Sequence, residues 1–334
     1  MWRCQSIVVP PASHHGTFSP HEGPLASKEI PVRVFAIVIL LAAATAGHAQ
    51  QSVPESAAKA IVEDYATYLV GPLPDSVPYD RTFYKKYVDA HGIPIISSAK
   101  VPDAALLLAR DIVVYMLAGR PDLRKEMIAK GYRVGVMAQT EMTTDIPEQR
   151  DRKKPSLGDP RLTRAERDNY DKPGGIGSMT DKEYWDRRAR GLGGVYTTGA
   201  EENILGYPNT RYYGEHILIH EWSHGIMSAI RNADAPLYSA IQAAYKDAIA
   251  KGKYKGHYAE TNANEYWAEG SQWWYWSNYE WMDGATPLQT PADLKAYDPI
   301  LFELLGRVYI GHHIPADVYH GKNIRPQPRG RTGQ

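Results

Sequence analysis

Thiols are all but missing from this chain: among its 334 residues there is one cysteine, Cys4. That residue precedes an apolar run at residues 34–46 (VFAIVILLAAATA), which follows Lys28 and Arg33 and ends at Gly47-His48-Ala49. A basic flank, a short apolar core and small residues ahead of a cut make a secretory signal, so residues 1–49 are expected to be removed before Gln50. The mature chain then has no thiol, which excludes disulfides, a cysteine nucleophile and thiolate metal ligands. The 33 residues ahead of the run are long for such a leader and point to a true start downstream of Met1.

An apolar run able to span a bilayer is missing as well. Crossing takes about 20 apolar residues, and residues 34–46 number 13. The product is expected to be secreted or periplasmic, with no stable membrane insertion after signal cleavage; the alternative is an uncleaved amino-terminal anchor. Nor does either sign of charge prevail, since 38 Lys and Arg face 38 Asp and Glu. Such a balance lacks the electrostatic footprint of a nucleic-acid binder.

Residues 50–334 suffice for one large or two small domains with a substantial core. Residues 57–69 pattern as an amphipathic helix, broken by Gly71-Pro72-Leu73-Pro74. Residues 93–97 are strand-like, residues 104–117 read as a helix ended by Gly119 and Pro121, and residues 123–130 as a short one. The alternation of residues 132–137 (YRVGVM) gives the clearest strand. This order predicts an α+β fold, a mixed sheet packed on helices. Residues 141–177 turn polar, including the run Arg150-Asp151-Arg152-Lys153-Lys154-Pro155; a solvated loop or insertion is the ordinary reading, a basic wall of a cleft the other.

The chemistry concentrates in His220-Glu221-Trp222-Ser223-His224. Apolar residues flank it on both sides, with no proline from residue 213 to residue 230, which predicts a buried helix. Histidines four apart on a helix share a face and can grip one metal ion, with Glu221 turned toward its bound water. The plain alternative is a pair of core histidines bonded to neighbours. A catalytic zinc usually takes three protein ligands. A third histidine six residues on is ruled out by Met227 and Ile230, but Glu265 follows His224 by 41 residues and is itself followed, four residues later, by Glu269. Glu265 is then the third ligand, and Glu269 accepts the free ring N–H of a ligand histidine. A solvated acidic helix start, with Glu260, Glu265 and Glu269 near the positive end of the dipole, is the other reading.

Taken together, His220-Glu221-x-x-His224, Tyr258-x-x-Thr261-Asn262 and Glu265-x-x-Ala268-Glu269 resemble the catalytic domain of the anthrax toxin lethal factor-like metallopeptidases, a branch of the gluzincins. The likeness spans about residues 213–280 and is motif-level. It implies a zincin-like fold over residues 50–334, with a mixed-sheet part over about 50–230 and a helical part over about 231–334. It implies one Zn2+ on His220, His224 and Glu265, Glu221 as general base, and assistance from Tyr258, seven residues before Glu265. It also implies a peptide or protein substrate, held extended against an edge strand beside the metal. Residues 195–205 are the expected strand, with Gly193, Gly194 and Gly199 allowing close backbone approach.

Zinc brings the pKa of a bound water down toward about 7, and Glu221 would carry its proton to the leaving amine. Tyr258, or else His257, would donate to the developing oxyanion. Among Trp267, Trp273, Trp274, Tyr275, Trp276 and Trp281, most are expected in the core, while exposed rings would make a platform for flat ligands. His312, His313 and His320 have no spacing partner and are assigned structural or surface places. The leading expectation is a secreted zinc peptidase. Its rivals are a glycan- or peptide-binding module without turnover and a zinc hydrolase of a non-peptide amide.

Overall fold

A computed structural model describes residues 69–160 and 162–322, which belong to one unit, Val53–Gln334. The expected signal at residues 1–49 and nearly all of the helix expected at residues 57–69 lie outside the described residues. Strand β1 (Gly71–Pro72) pairs antiparallel with β2 (Lys86–Ala90), and β2 turns through His91 and Gly92, both at positive φ, into antiparallel β3 (Ile93–Ser97). Helices α1 (Asp103–Met116) and α2 (Pro121–Ala129) lead to β4 (Arg133–Met137), parallel to β3. After α3 (Arg164–Asp168) and α4 (Asp181–Arg188) come β5 (Gly191–Leu192) and β6 (Tyr196–Ala200), the latter parallel to β4 and antiparallel to β5. The sheet order is β1-β2-β3-β4-β6-β5, a mixed sheet as expected.

The carboxyl-terminal half is helical. It comprises α5 (Glu201–Ile204), α6 (Ile217–Ala233), α7 (Ala235–Ala250), α8 (Ala263–Trp274), a small hairpin β7 (Trp281–Asp283) and β8 (Thr286–Leu288), then α9 (Pro291–Tyr297) and α10 (Pro299–Gly306). Strand alternation sends Ile93, Ile95, Val134 and Val136 into one core with α1, α6 and α8. Ile96 and Met137 point to the opposite face, where Leu73, Tyr84 and Ile146 cover the sheet beside Ala200 of β6. Trp222, Trp267, Trp273, Trp274 and Tyr275 are buried in the main core, so these rings offer no exposed platform. Among the described residues no helix is long and apolar enough to cross a membrane.

One expectation needs correction. Residues 195–205 do not form the outermost strand: Tyr196–Ala200 pairs along its length with β4 and, at Thr198 and Gly199, with β5, and Glu201–Ile204 is helical, so the last strand of the order is Gly191–Leu192. Alternation signals a strand but not its neighbours. Residues 141–177, expected as a solvated loop or insertion, run on into a small folded excursion. Thr163 and Thr180 cap α3 and α4 through boxes with Glu166 and Glu183, and Leu162, Ile176, Tyr184, Trp185 and Ala189 form a separate small core. The lysines of the polar run hold this excursion together: Lys153 pairs with Asp181, and Lys154 Nζ donates to the carbonyls of Ile176 and Gly177, each at 2.9 Å.

Candidate metal centre

Helix α6 is apolar almost all round because it lies between the sheet and α8. Along its first three turns the positions left partly open are Glu221, His224 and Ser228, spaced as one stripe. Its amino terminus is fixed from the sheet side: Asn203 Oδ1 accepts from Ile217 N at 2.8 Å, and Asn203 Nδ2 donates to Glu215 O at 2.8 Å. That clamp begins the helix at Ile217 instead of the residue 213 expected. Helix α8 starts on Asn262, whose Oδ1 accepts from Asn264 N and Glu265 N, placing Glu265 in the first turn.

The two helices bring three ligand atoms together. Glu265 Oε2 lies 3.1 Å from His220 Nε2 and 3.3 Å from His224 Nε2. All three atoms fall within 4.8 Å of one another, the one such group of three or more among the described residues. A tetrahedral ion about 2.1 Å from each donor would set neighbouring donors about 3.4 Å apart, so the spacing fits a first-row metal such as zinc.

The tautomer strengthens this. His220 Nδ1 sits 3.0 Å from Gln272 Oε1, whose orientation is set by Gln272 Nε2 donating to His216 O at 3.2 Å. Nδ1 therefore carries a hydrogen, which leaves Nε2 as the ring atom that faces the Glu265 carboxylate. At that distance a cation joins the two, a proton on Nε2 or a metal ion in its place. Burial opposes charge on His220, but the Glu265 contact and the Glu269 and Glu221 charges outweigh it and raise its pKa to about 10. Protons and metal compete for such a site. Glu265, although burial pulls the other way, is held well below the carboxylate range by His224 and His220.

Glu221 is raised by burial, against the pull of His220 and His224. Tyr258, in a short 3-10 turn, donates to Glu265 Oε1 at 3.3 Å, and its phenol is pushed far up by burial and by Glu265. His257 turns away: its Nδ1 accepts from Ala259 N, and its ring packs 5.0 Å from Trp273 and 4.9 Å from Trp281. Glu269 lies behind the ligands, 3.7 Å from His220 Nδ1, and accepts from Asn278 Nδ2 at 2.6 Å. The nearer acceptor of the His220 ring is Gln272, so the role expected of Glu269 falls first to a residue that the sequence reading passed over. Its signal was there, since positions 265, 269 and 272 share one helix face. Both acidic side chains are largely buried, which removes the reading of a solvated helix start.

Two glycines bring the sheet edge onto the motif. A Cβ on Gly191 would stand 2.5 Å from Ile217 Cγ2 and 3.0 Å from Glu221 Cγ; one on Gly193 would stand 2.7 Å from His224 Cβ. Only glycine lets β5 lie this close to α6.

Fold and site together define an α+β protein whose His220-His224-Glu265 group is close enough to hold one metal ion. No known protein family, curated protein or solved structure matches the chain.

Proposed function

We propose that this chain is a secreted zinc-dependent hydrolase of the gluzincin type, most directly a peptidase with a zincin-like fold. The observation that carries the reading is the convergence of both Nε2 atoms on Glu265 Oε2 at 3.1 and 3.3 Å, with Glu221 next to them on the open stripe of α6. The likeness of the motifs to the lethal factor-like peptidases supports it, and the apolar run at residues 34–46 supports secretion.

Zinc held by His220, His224 and Glu265 would supply a water acidified toward a pKa of about 7 and a polarised substrate carbonyl. Glu221, whose proton affinity is raised by burial, takes the water's proton and returns it to the leaving amine. Tyr258 keeps its proton throughout the neutral range and donates to the developing oxyanion, a contact whose loss costs about 2.7–4 kcal/mol. The outer edge of β5 (Gly191–Leu192) offers backbone groups to an extended peptide beside Glu221. Burial of Trp267, Trp273 and Trp274 counts against a glycan-stacking module, although Trp276 and Trp281 are only half-buried.

The test is Glu221→Gln. Full zinc content with turnover reduced about 10²- to 10⁴-fold on a peptide mixture is expected. Unchanged turnover, or no cleavage by zinc-loaded wild type, would sink the peptidase reading.

A further inference from the structure

Tyr254 takes a backbone conformation that bulky side chains avoid: its φ is 60°, in the left-handed region, and its ring is fully buried. Such a conformation is strained and persists only where its surroundings fix it. The surroundings here are aromatic. Trp273 of α8 and Trp281 of β7 lie nearly parallel to the ring at 5.9 and 6.1 Å, and Tyr266 and Tyr297 meet it edge-to-face at 5.5 and 5.1 Å. Its amide donates to Tyr297 Oη at 2.8 Å, and its carbonyl accepts from His257 N at 2.9 Å, which closes the turn leading to Tyr258.

The phenol of Tyr254 donates to Asp298 Oδ2 at 3.1 Å, and the same oxygen accepts from Tyr266 Oη at 2.8 Å. Asp298 is itself buried, and its Oδ1 accepts from Leu301 N at 3.1 Å as the cap of α10, so the carboxylate is held from its other side as well. One oxygen thus ties two pieces of chain that both reach the metal group. Tyr266 directly follows the ligand Glu265, and Tyr254 stands four residues before Tyr258. The phenol of Tyr258 donates to Glu265 Oε1 at 3.3 Å, too long a contact to fix its place, which falls to the loop that carries it. That loop is braced: Glu260 N and Thr261 N donate to His257 O and Tyr258 O, each at 3.0 Å, and Tyr245 Oη donates to Glu260 O at 2.8 Å.

We propose that Asp298, through Tyr254 and Tyr266, is a positioning residue for the Tyr258–Glu265 pair, an inference that rests on the peptidase reading above. It holds the loop carrying Tyr258 and the helical turn carrying Glu265 at one spacing, so that the phenol stands beside the metal group before a substrate arrives. Asp298 acts through its two tyrosines and not on the reacting atoms. The spacing matters because an oxyanion donor works only from its proper place, and a misplacement of about 1 Å can cost about 10²-fold in rate. Were Asp298 an ordinary core residue, its loss would lower stability without singling out Tyr258.

The experiment measures kcat, KM and zinc content of the zinc-loaded full chain on one peptide that wild type cleaves, for Asp298→Asn and Tyr254→Phe, each also combined with Tyr258→Phe. Tyr254→Phe removes one hydroxyl and keeps the ring stack, so it stands in wherever Asp298→Asn fails to fold. A fall in kcat of about tenfold is expected, with KM and zinc content within about twofold of wild type. In the Tyr258→Phe background the same substitutions should change kcat by less than about twofold, since the group they place is already gone. A fall of the same size in both backgrounds overturns the proposal, and so does an unchanged kcat in Tyr254→Phe. Amide hydrogen exchange reads the clamp without turnover: Glu260 N and Thr261 N should exchange about tenfold faster in Tyr254→Phe, while the amides of α6 keep their wild-type rates. Equal exchange in the two proteins also overturns the proposal. Faster exchange at these two amides with no cleavage by wild type leaves the clamp standing and removes only the peptidase reading.

Discussion

His216 and His220 stand one turn apart on the same stretch of chain, both buried, and their proton affinities are driven in opposite directions. His216 loses water and gains no answer: neither ring nitrogen meets a hydrogen-bonding group among the described residues, and burial lowers its pKa to about 3. At His220 burial pulls the same way, yet Glu265, Glu269 and Glu221 reverse it and lift the value to about 10. The difference lies in what α8 delivers. Opposite His220 it presents Glu265, Glu269 and Gln272; opposite His216 the neighbours are Ser277 O, taken by the backbone amide, and the edge of Tyr319 at 5.7 Å. Burying a histidine does not make a cation site; facing it with carboxylates does. Glu265→Ala should therefore erase the contrast with the largest effect. Elemental analysis of purified protein is expected to find about one zinc per wild-type chain and near-background zinc in the variant, a loss beyond the roughly 10- to 100-fold attached to an outer partner. Retained zinc would remove Glu265 from the ligand set.

The His216 side of the comparison extends to Asp317. Its Oδ1 accepts from Tyr319 N at 2.8 Å, and burial lifts its pKa to about 7 against the pull of that amide and of Ser277. The sign follows from linkage. Below about pH 4 folded and unfolded chains both hold the proton; between about pH 4 and 7 only the folded one does, so this group removes stability as pH rises, by at most about 4 kcal/mol. Asp317→Asn should match wild type near pH 4 and exceed it near pH 8 in urea unfolding. A difference between the two that stays constant with pH would show that Asp317 does not carry this raised affinity.

The sequence reading reached the metal group because its signal is chemical and local. Two periodic spacings, His220 to His224 and Glu265 to Glu269, each fix a helix face, and the apolar flanks of the first imply burial. The helix α1 and the strands β3 and β4 were legible for the same reason. What escaped depends on partners distant in sequence. Strand β2 carries Lys86 and Asp89 within KYVDA and turns through His91-Gly92, so neither its alternation nor its turn stands out. The edge position of β5 follows from pairing, which alternation does not encode. Gln272 and Asn278 are amides with no titratable signature, and the closeness of Gly191 to Glu221 follows from the pairing of β5.

A finer cut separates the two candidates for the His220 ring hydrogen. With Gln272 Oε1 at 3.0 Å and Glu269 Oε1 at 3.7 Å, Gln272→Leu should weaken zinc binding by about 10- to 100-fold in a chelator competition, more than Glu269→Gln does. The reverse order would return the role to Glu269.

The smallest expected effect lies back at His216. Its backbone serves the site, since its carbonyl accepts from Gln272 Nε2 at 3.2 Å and its amide donates to Ser277 O at 3.0 Å, whereas its ring contributes only packing. His216→Leu keeps the backbone bonds and removes two buried polar atoms that no group among the described residues answers, a change worth about 1 kcal/mol of added stability. Zinc affinity should stay put, because the ring lies outside the ligand set. A loss beyond about 2 kcal/mol in denaturant unfolding would mean that ordered water answers the ring nitrogens, since displacing such water is costly. The contrast with His220 would then lie in the kind of partner, water against carboxylate, and the metal site would still be set by what α8 brings to it.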